Sequence, residues 1–145
     1  MLEDGIPRLR TALQAFTPDV VVILHGVNDV TFEGIRGVSR NLPFMTALVR
    51  DAKRSGATVF LCTLLPQRIT GPRAGDPAVI SAFNEALRTL ARTENVPLID
   101  LAATFGGASL IGVDGLHPVE AGYDRLAALV LDALREPFER PPDLH

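Results

Sequence analysis

Apolar positions along this chain follow two rhythms. At residues 20–24 (Val-Val-Val-Ile-Leu), 57–64 (Ala-Thr-Val-Phe-Leu-Cys-Thr-Leu) and 96–101 (Val-Pro-Leu-Ile-Asp-Leu) they run almost without interruption. Runs of this kind, rich in β-branched residues, suit strands covered on both faces, as in a parallel sheet. Between the runs, apolar residues recur at intervals of three and four. Ile6, Leu9, Leu13 and Phe16 line one face of a helix predicted over residues 5–16, with Asp4 as N-cap and Pro7 in the first turn. Phe44, Leu48 and Ala52, widened by Met45 and Val49, predict a second over about 42–55, capped by Asn41 and closed by Gly56. Ile80, Phe83, Leu87 and Leu90 predict a third, which Asp76 caps, Pro77 begins and Glu94 nearly ends. Tyr123, Leu126, Val130 and Leu134 predict a last helix from Pro118 to about Arg135.

The remaining stretches read as connections. Residues 30–40 carry Gly34 and Gly37, residues 65–75 are rich in Pro, Gly and Arg, and residues 136–145 hold three prolines and read as an irregular tail. The order is helix–strand–helix–strand–helix–strand–helix. Strands alternating with amphipathic helices imply parallel pairing through crossovers and a three-layer α/β/α sandwich, here with only three strands. At 145 residues the chain is expected to form one domain, residues 1–145.

Composition narrows the classes of function. Apolar residues make up 47% and charged residues 21%, which is a globular balance and not a disordered one. A net charge of −3 with no basic stripe argues against nucleic acid as a partner. No apolar run approaches the length of a membrane span. Cys62, the one cysteine, sits inside an apolar run and is expected as a buried free thiol.

Two polar stretches carry candidate chemistry. The first apolar run stops at Gly26-Val27-Asn28-Asp29, and ligands of open α/β sheets bind at the carboxyl ends of strands. The second stretch, Asp114-Gly115-Leu116-His117-Pro118, follows the third run and so belongs to the same edge. An Asp three residues before a His can reach the imidazole across a tight turn, fix its tautomer and stabilise its protonated form, which makes the His a usable base. Each stretch alone has a plain alternative: Asn and Asp are common turn formers, and a His can simply precede a helix.

Together, and in this order, the stretches resemble the SGNH (GDSL-type) hydrolases, whose third sequence block is Gly-x-Asn-Asp and whose fifth is Asp-x-x-His-Pro. Asp19-Val20-Val21-Val22 ahead of the first stretch and Val119-Glu120-Ala121-Gly122-Tyr123 after the second are similar to that family too. The resemblance spans essentially the whole chain. It implies the family's flavodoxin-like parallel sheet and hydrolysis of an ester or acyl bond, in a small-molecule substrate, through a serine nucleophile without a cofactor. It also implies the roles: Asn28 as an oxyanion-hole donor, His117 as general base, Asp114 as its orienting partner, Gly26 as the residue that lets the backbone turn, and Asp29 as a shaper of that turn.

The family's Gly-Asp-Ser block, which carries the nucleophile, and its glycine-bearing second block have no counterpart here. Ser39, Ser55, Ser81 and Ser109 lack the motif. Three expectations follow: a truncated esterase, a non-catalytic relative that uses the pocket for binding, or a partner chain that supplies strand and serine. Without the family's first strand, the strand at 20–24 has an unpaired edge, a surface open to self-association. The expected upstream segment leaves the compartment open. A metal-dependent hydrolase using His25, Asp29, Asp114 and His117 is a further alternative, without a supporting ligand spacing. Arg68 and Arg73, on the loop bordering the site, are candidates to meet an anionic part of a substrate, against the plainer reading of solvated loop charges.

Overall fold

The computed structural model describes residues 1–139. Its elements run α1 (Leu2–Phe16), β1 (Val20–Ile23), α2 (Val27–Glu33), α3 (Ile35–Arg54), β2 (Thr58–Cys62), α4 (Pro77–Glu94), β3 (Leu98–Ile99), α5 (Leu101–Thr104), a 3₁₀ turn at Ala108–Leu110, and α6 (Glu120–Glu139). The three strands pair in parallel in the order β1-β2-β3, with Val20 opposite Thr58, Ile23 opposite Leu61 and Cys62 opposite Ile99. This is the α/β/α fold class that the apolar runs imply.

Alternation along each strand divides its side chains between two layers. Val21, Ile23, Val59 and Leu61 face a large core built from α1, α3 and α4, with Met45, Val49, Phe83 and Leu87 fully enclosed. Val20, Phe60, Cys62 and Ile99 face the other side, where Leu126, Val130 and Leu134 of α6 cover them. The third layer is thin, and over β1 it is incomplete: Val22 is 37% exposed and Leu24 41%. Among the described residues β1 has a strand on one side only, and a groove of about 830 Å³ runs between it and α1.

Several boundaries differ from the sequence reading, each for a tertiary reason. The first helix starts at Leu2 and not behind Asp4, because the buried Asp29 carboxylate accepts the Leu2 N–H at 2.7 Å and supplies the cap from a distance. Phe16, expected on the buried face, is 78% exposed beside the open groove. Residues 30–40 are helical. Gly34 at φ 65° only interrupts the path between α2 and α3. Asn41 is therefore no cap: it is buried within α3, where its amide donates to the Gly37 carbonyl at 2.9 Å and to Glu33 at 3.1 Å. β3 is cut short at Ile99 because Asp100 caps α5, accepting the Ala103 N–H.

The third helix follows expectation, with Asp76 accepting the Ala78 N–H at 2.8 Å and Pro77 at its start. Pro118 does not begin the last helix. It pairs with Ile111 in an antiparallel bridge, and the helix starts at Glu120. That helix continues to Glu139, where an irregular tail was expected from 136; residues 140–145 lie outside the described residues.

Candidate active site

Asn28 and His117 come together although 89 positions separate them in the sequence, since 117 − 28 = 89. The first reaches the site through β1. Behind Ile23 the chain reverses at Gly26, whose φ of 104° is a left-handed value that suits glycine. A Cβ there would also lie 2.9 Å from the Phe83 ring, so glycine answers both conformation and space. Gly26 then serves as N-cap of α2, and Asn28 and Asp29 occupy the first helical turn in place of an open turn. Asn28 points outward and is exposed, whereas Asp29 is 2% exposed and turns inward to cap α1. A carboxylate near two helix N-termini is electrostatically well placed. Asp29 is thus a structural residue that holds α1 against the strand end.

The second arm is a compact loop closed on itself. The Gly112 N–H donates to the His117 carbonyl at 2.7 Å, and the Val119 N–H to the Leu110 carbonyl at 2.9 Å. Within the loop Asp114 accepts three times. Its Oδ1 takes the backbone N–H groups of Leu116 and His117, each at 3.0 Å, and its Oδ2 lies 2.5 Å from His117 Nδ1. The Leu116 N–H, followed by the His117 side chain and backbone, lowers the Asp114 pKa to about 2. The depressed value keeps Asp114 ionised at all ordinary pH, and its hold on the ring is lost only as pH falls through about 2. An ionised carboxylate can only accept, so Nδ1 carries the proton and Nε2 presents a lone pair. Such an imidazole can take a proton from a hydroxyl and return it.

The two arms meet around a cavity of about 200 Å³, lined by both Asn28 and His117 together with Leu24, Leu65, Leu116 and Tyr123. The loop 65–75 crosses beside it. Arg68 N–H donates to the Gly115 carbonyl at 3.2 Å and Arg73 N–H to the Asp114 carbonyl at 2.9 Å. Contact between the loops is so close that a Cβ on Gly71 would sit 2.5 Å from the Asp114 carbonyl. The place of loop 65–75 beside the site was expected; its close fit to the 112–117 loop left no trace in the sequence beyond the glycines at 71 and 115.

Other candidates are engaged elsewhere. His25 also borders the cavity, but its ring packs against Gly5 of α1, and burial lowers its pKa. With Asp29 committed to Leu2, the proposed cation set does not assemble, and among the described residues no three His, Cys, Asp or Glu side chains gather to hold a metal ion. Asp100, at the end of β3, is held by a two-pronged bond from Arg88 with both distances 2.8 Å, which keeps its pKa below the ordinary carboxylate value. Among the described residues no serine lines the cavity. Ser39 and Ser55 donate to carbonyls of their own helix.

Known proteins share this fold. A multidomain esterase of Ruminococcus flavefaciens is 23% identical over 125 residues, which is 84% of this chain but only 16% of that protein. The chain thus spans about a sixth of that curated relative. The crystal structure of a GDSL-like lipase from Bacteroides thetaiotaomicron superimposes with a TM-score of 0.80 at 23% identity, covering 94% of this chain and 72% of the other. That of a lipase/acylhydrolase from Enterococcus faecalis does so at 0.76 and 23%, covering 94% and 71%. At such identity these are likenesses of fold. A sequence model of one family, the GDSL-like Lipase/Acylhydrolase family, matches residues 1–125. The chain therefore belongs to the GDSL-like lipase/acylhydrolase family.

Proposed function

We propose that this chain carries the base and oxyanion half of a serine esterase site that hydrolyses ester or acyl bonds of small molecules. The observation that carries the reading is the single cavity that holds both an Asp114-oriented His117 and the Asn28 amide. In the reaction, His117 Nε2 takes the proton of a serine hydroxyl as its oxygen bonds to the substrate carbonyl carbon. The carbonyl electron pair moves onto oxygen, where the Asn28 Nδ2–H donates to the developing charge. Collapse breaks the bond to the leaving alcohol, which receives the proton from His117, and water repeats the sequence to release the acid. Asp114 holds the ring and stabilises its protonated form without giving up its own charge.

The serine comes from outside the described residues in this reading. The apolar groove along the free edge of β1 supports a place for it: a strand laid there would end beside Leu24 and His25, which also line the catalytic cavity. The solved relatives have length to spare for such a segment, since about seven-tenths of each is matched. A second reading, a binding module with the same pocket and no hydrolysis, is favoured by a cavity that no serine lines among the described residues.

The test joins the chain at its N-terminus to a serine-bearing strand and follows hydrolysis of a short aryl ester. Activity is expected, and His117→Ala should lower kcat by about 10⁴-fold or more, because members of such a set act as a unit. Hydrolysis that survives His117→Ala would remove His117 as the base; none in the joined protein would favour the binding module.

A further inference from the structure

Arg73 touches both halves of the site through different atoms. Its backbone N–H donates to the Asp114 carbonyl at 2.9 Å, and its Nη2 donates to Asn28 Oδ1 at 3.3 Å. We propose that Arg73 is the positioning residue of the Asn28 amide, fixing which end of that amide faces the reaction centre. The inference rests on the esterase reading.

A primary amide presents an acceptor at Oδ1 and two donors at Nδ2, and the two ends are nearly alike in shape. An oxyanion is stabilised by Nδ2–H and repelled by Oδ1, so the orientation decides the sign of the effect. Asn28 is exposed, and the one side-chain hydrogen bond it makes among the described residues is to Arg73. A guanidinium carries five N–H groups and no acceptor, so it can satisfy only Oδ1. With Oδ1 committed to Arg73, Nδ2 is the end left free to donate. The positive charge on the acceptor end also draws electrons along the amide and strengthens its donors. The strap places that guanidinium: Gly71 lies against the Asp114 carbonyl and the Arg73 N–H bonds to the same group, so the loop of the base positions the orienter of the oxyanion donor. Arg73 thereby gains a role directed at Asn28 in place of a contact with an anionic substrate.

The backbone bond to Asp114 does not depend on the side chain, so Arg73→Ala removes the orienter and leaves the strap. Two measurements test the proposal. The first needs no activity: ¹⁵N NMR of the chain itself, reading the heteronuclear NOE of the Asn28 side-chain NH₂, identified by its disappearance in Asn28→Ala. It should be ordered in the wild type, fall to the level of a freely turning amide in Arg73→Ala, and persist in Arg73→Lys, since an ammonium also only donates. Backbone signals of Asp114 and Gly115 should not move.

The second is kinetic, on the joined, serine-bearing protein. If the freed amide spends about a third of its time in the productive orientation, kcat falls about threefold from population alone, and up to about tenfold with lost polarisation, at unchanged KM. The loss should vanish when Arg73→Ala is placed in an Asn28→Ala background. An Asn28 amide equally ordered without Arg73, or a kinetic loss that persists without Asn28, would overturn the proposal. Absent hydrolysis in the wild-type joined protein would sink the esterase reading instead, and the NMR arm would still decide whether Arg73 orients Asn28.

Discussion

β1 and β2 are neighbours written in almost the same alphabet, Val-Val-Val-Ile and Thr-Val-Phe-Leu-Cys, yet they occupy different surroundings. β2 has a strand on each side and a helical layer on each face. Four of its five side chains are buried, and Phe60 is 1% exposed. Among the described residues β1 is paired on one side, covered well on the α3 side, and open on the α6 side. The hydrophobic effect scales with area removed from water, so equal sequences contribute unequally. The catalytic candidates lie on the same divide. His117 and Asp114 stand on a self-bonded loop braced from the β2 side, while Asn28 stands in the first turn of α2, which follows the open strand. Under the proposed function, the groove beside β1 is the place for a nucleophile-bearing segment.

Paired truncations would show the inequality most strongly. Leu61→Ala, at a fully enclosed position on β2, should cost about 2–5 kcal/mol. Val22→Ala, one strand away, should stay within about 0.5 kcal/mol. Urea unfolding measures both. Joining a serine-bearing strand should raise the cost at Val22 toward that of a buried valine. Equal costs in the isolated chain would break the comparison.

A subtler probe is Cys62, which lies on the α6 face of β2. Burial pushes its thiol up to about 12, so at pH 8 roughly one molecule in 10⁴ carries the reactive thiolate. Labelling by a thiol reagent should be slow in the folded protein and complete in urea. Because the folded value is raised, the thiol's contribution to stability is full below its ordinary pKa and is lost as pH rises through that value toward about 12. Fast labelling at pH 8 without denaturant would mean that the thin α6 layer opens readily and that β2 is no better protected than β1.

Much of the fold was legible because burial leaves a rhythm. The three apolar runs, the spacing of Ile80 to Leu90 and the Asp76-Pro77 start each specify their element locally. That Asn28 and the Asp114–His117 pair lie at one edge was legible, because a strand end and a short-range Asp–His spacing place them. Interactions that join distant segments leave no such rhythm. Asp29 caps a helix that begins 27 residues earlier, and Arg73 meets Asn28 across 45 residues. Glycines misled at 34 and 37: one is a true break between helices, but the other is buried inside α3, where a Cβ would lie 2.9 Å from Glu33 Cβ. Pro118 misled in the same way, since its bridge to Ile111 closes the Asp114–His117 loop before the helix begins.

The proposed mechanism requires that Asn28, at the start of α2 behind the open strand, face the same reacting atoms as His117, on the braced loop. The most direct measurement is kcat and KM for ester hydrolysis by the joined, serine-bearing protein with and without Asn28→Ala. The account predicts a loss of about 10²–10³ in kcat with KM little changed, the signature of a donor used only in the transition state. An unchanged kcat would contradict it, separating Asn28 from the oxyanion and leaving the shared cavity without its catalytic meaning.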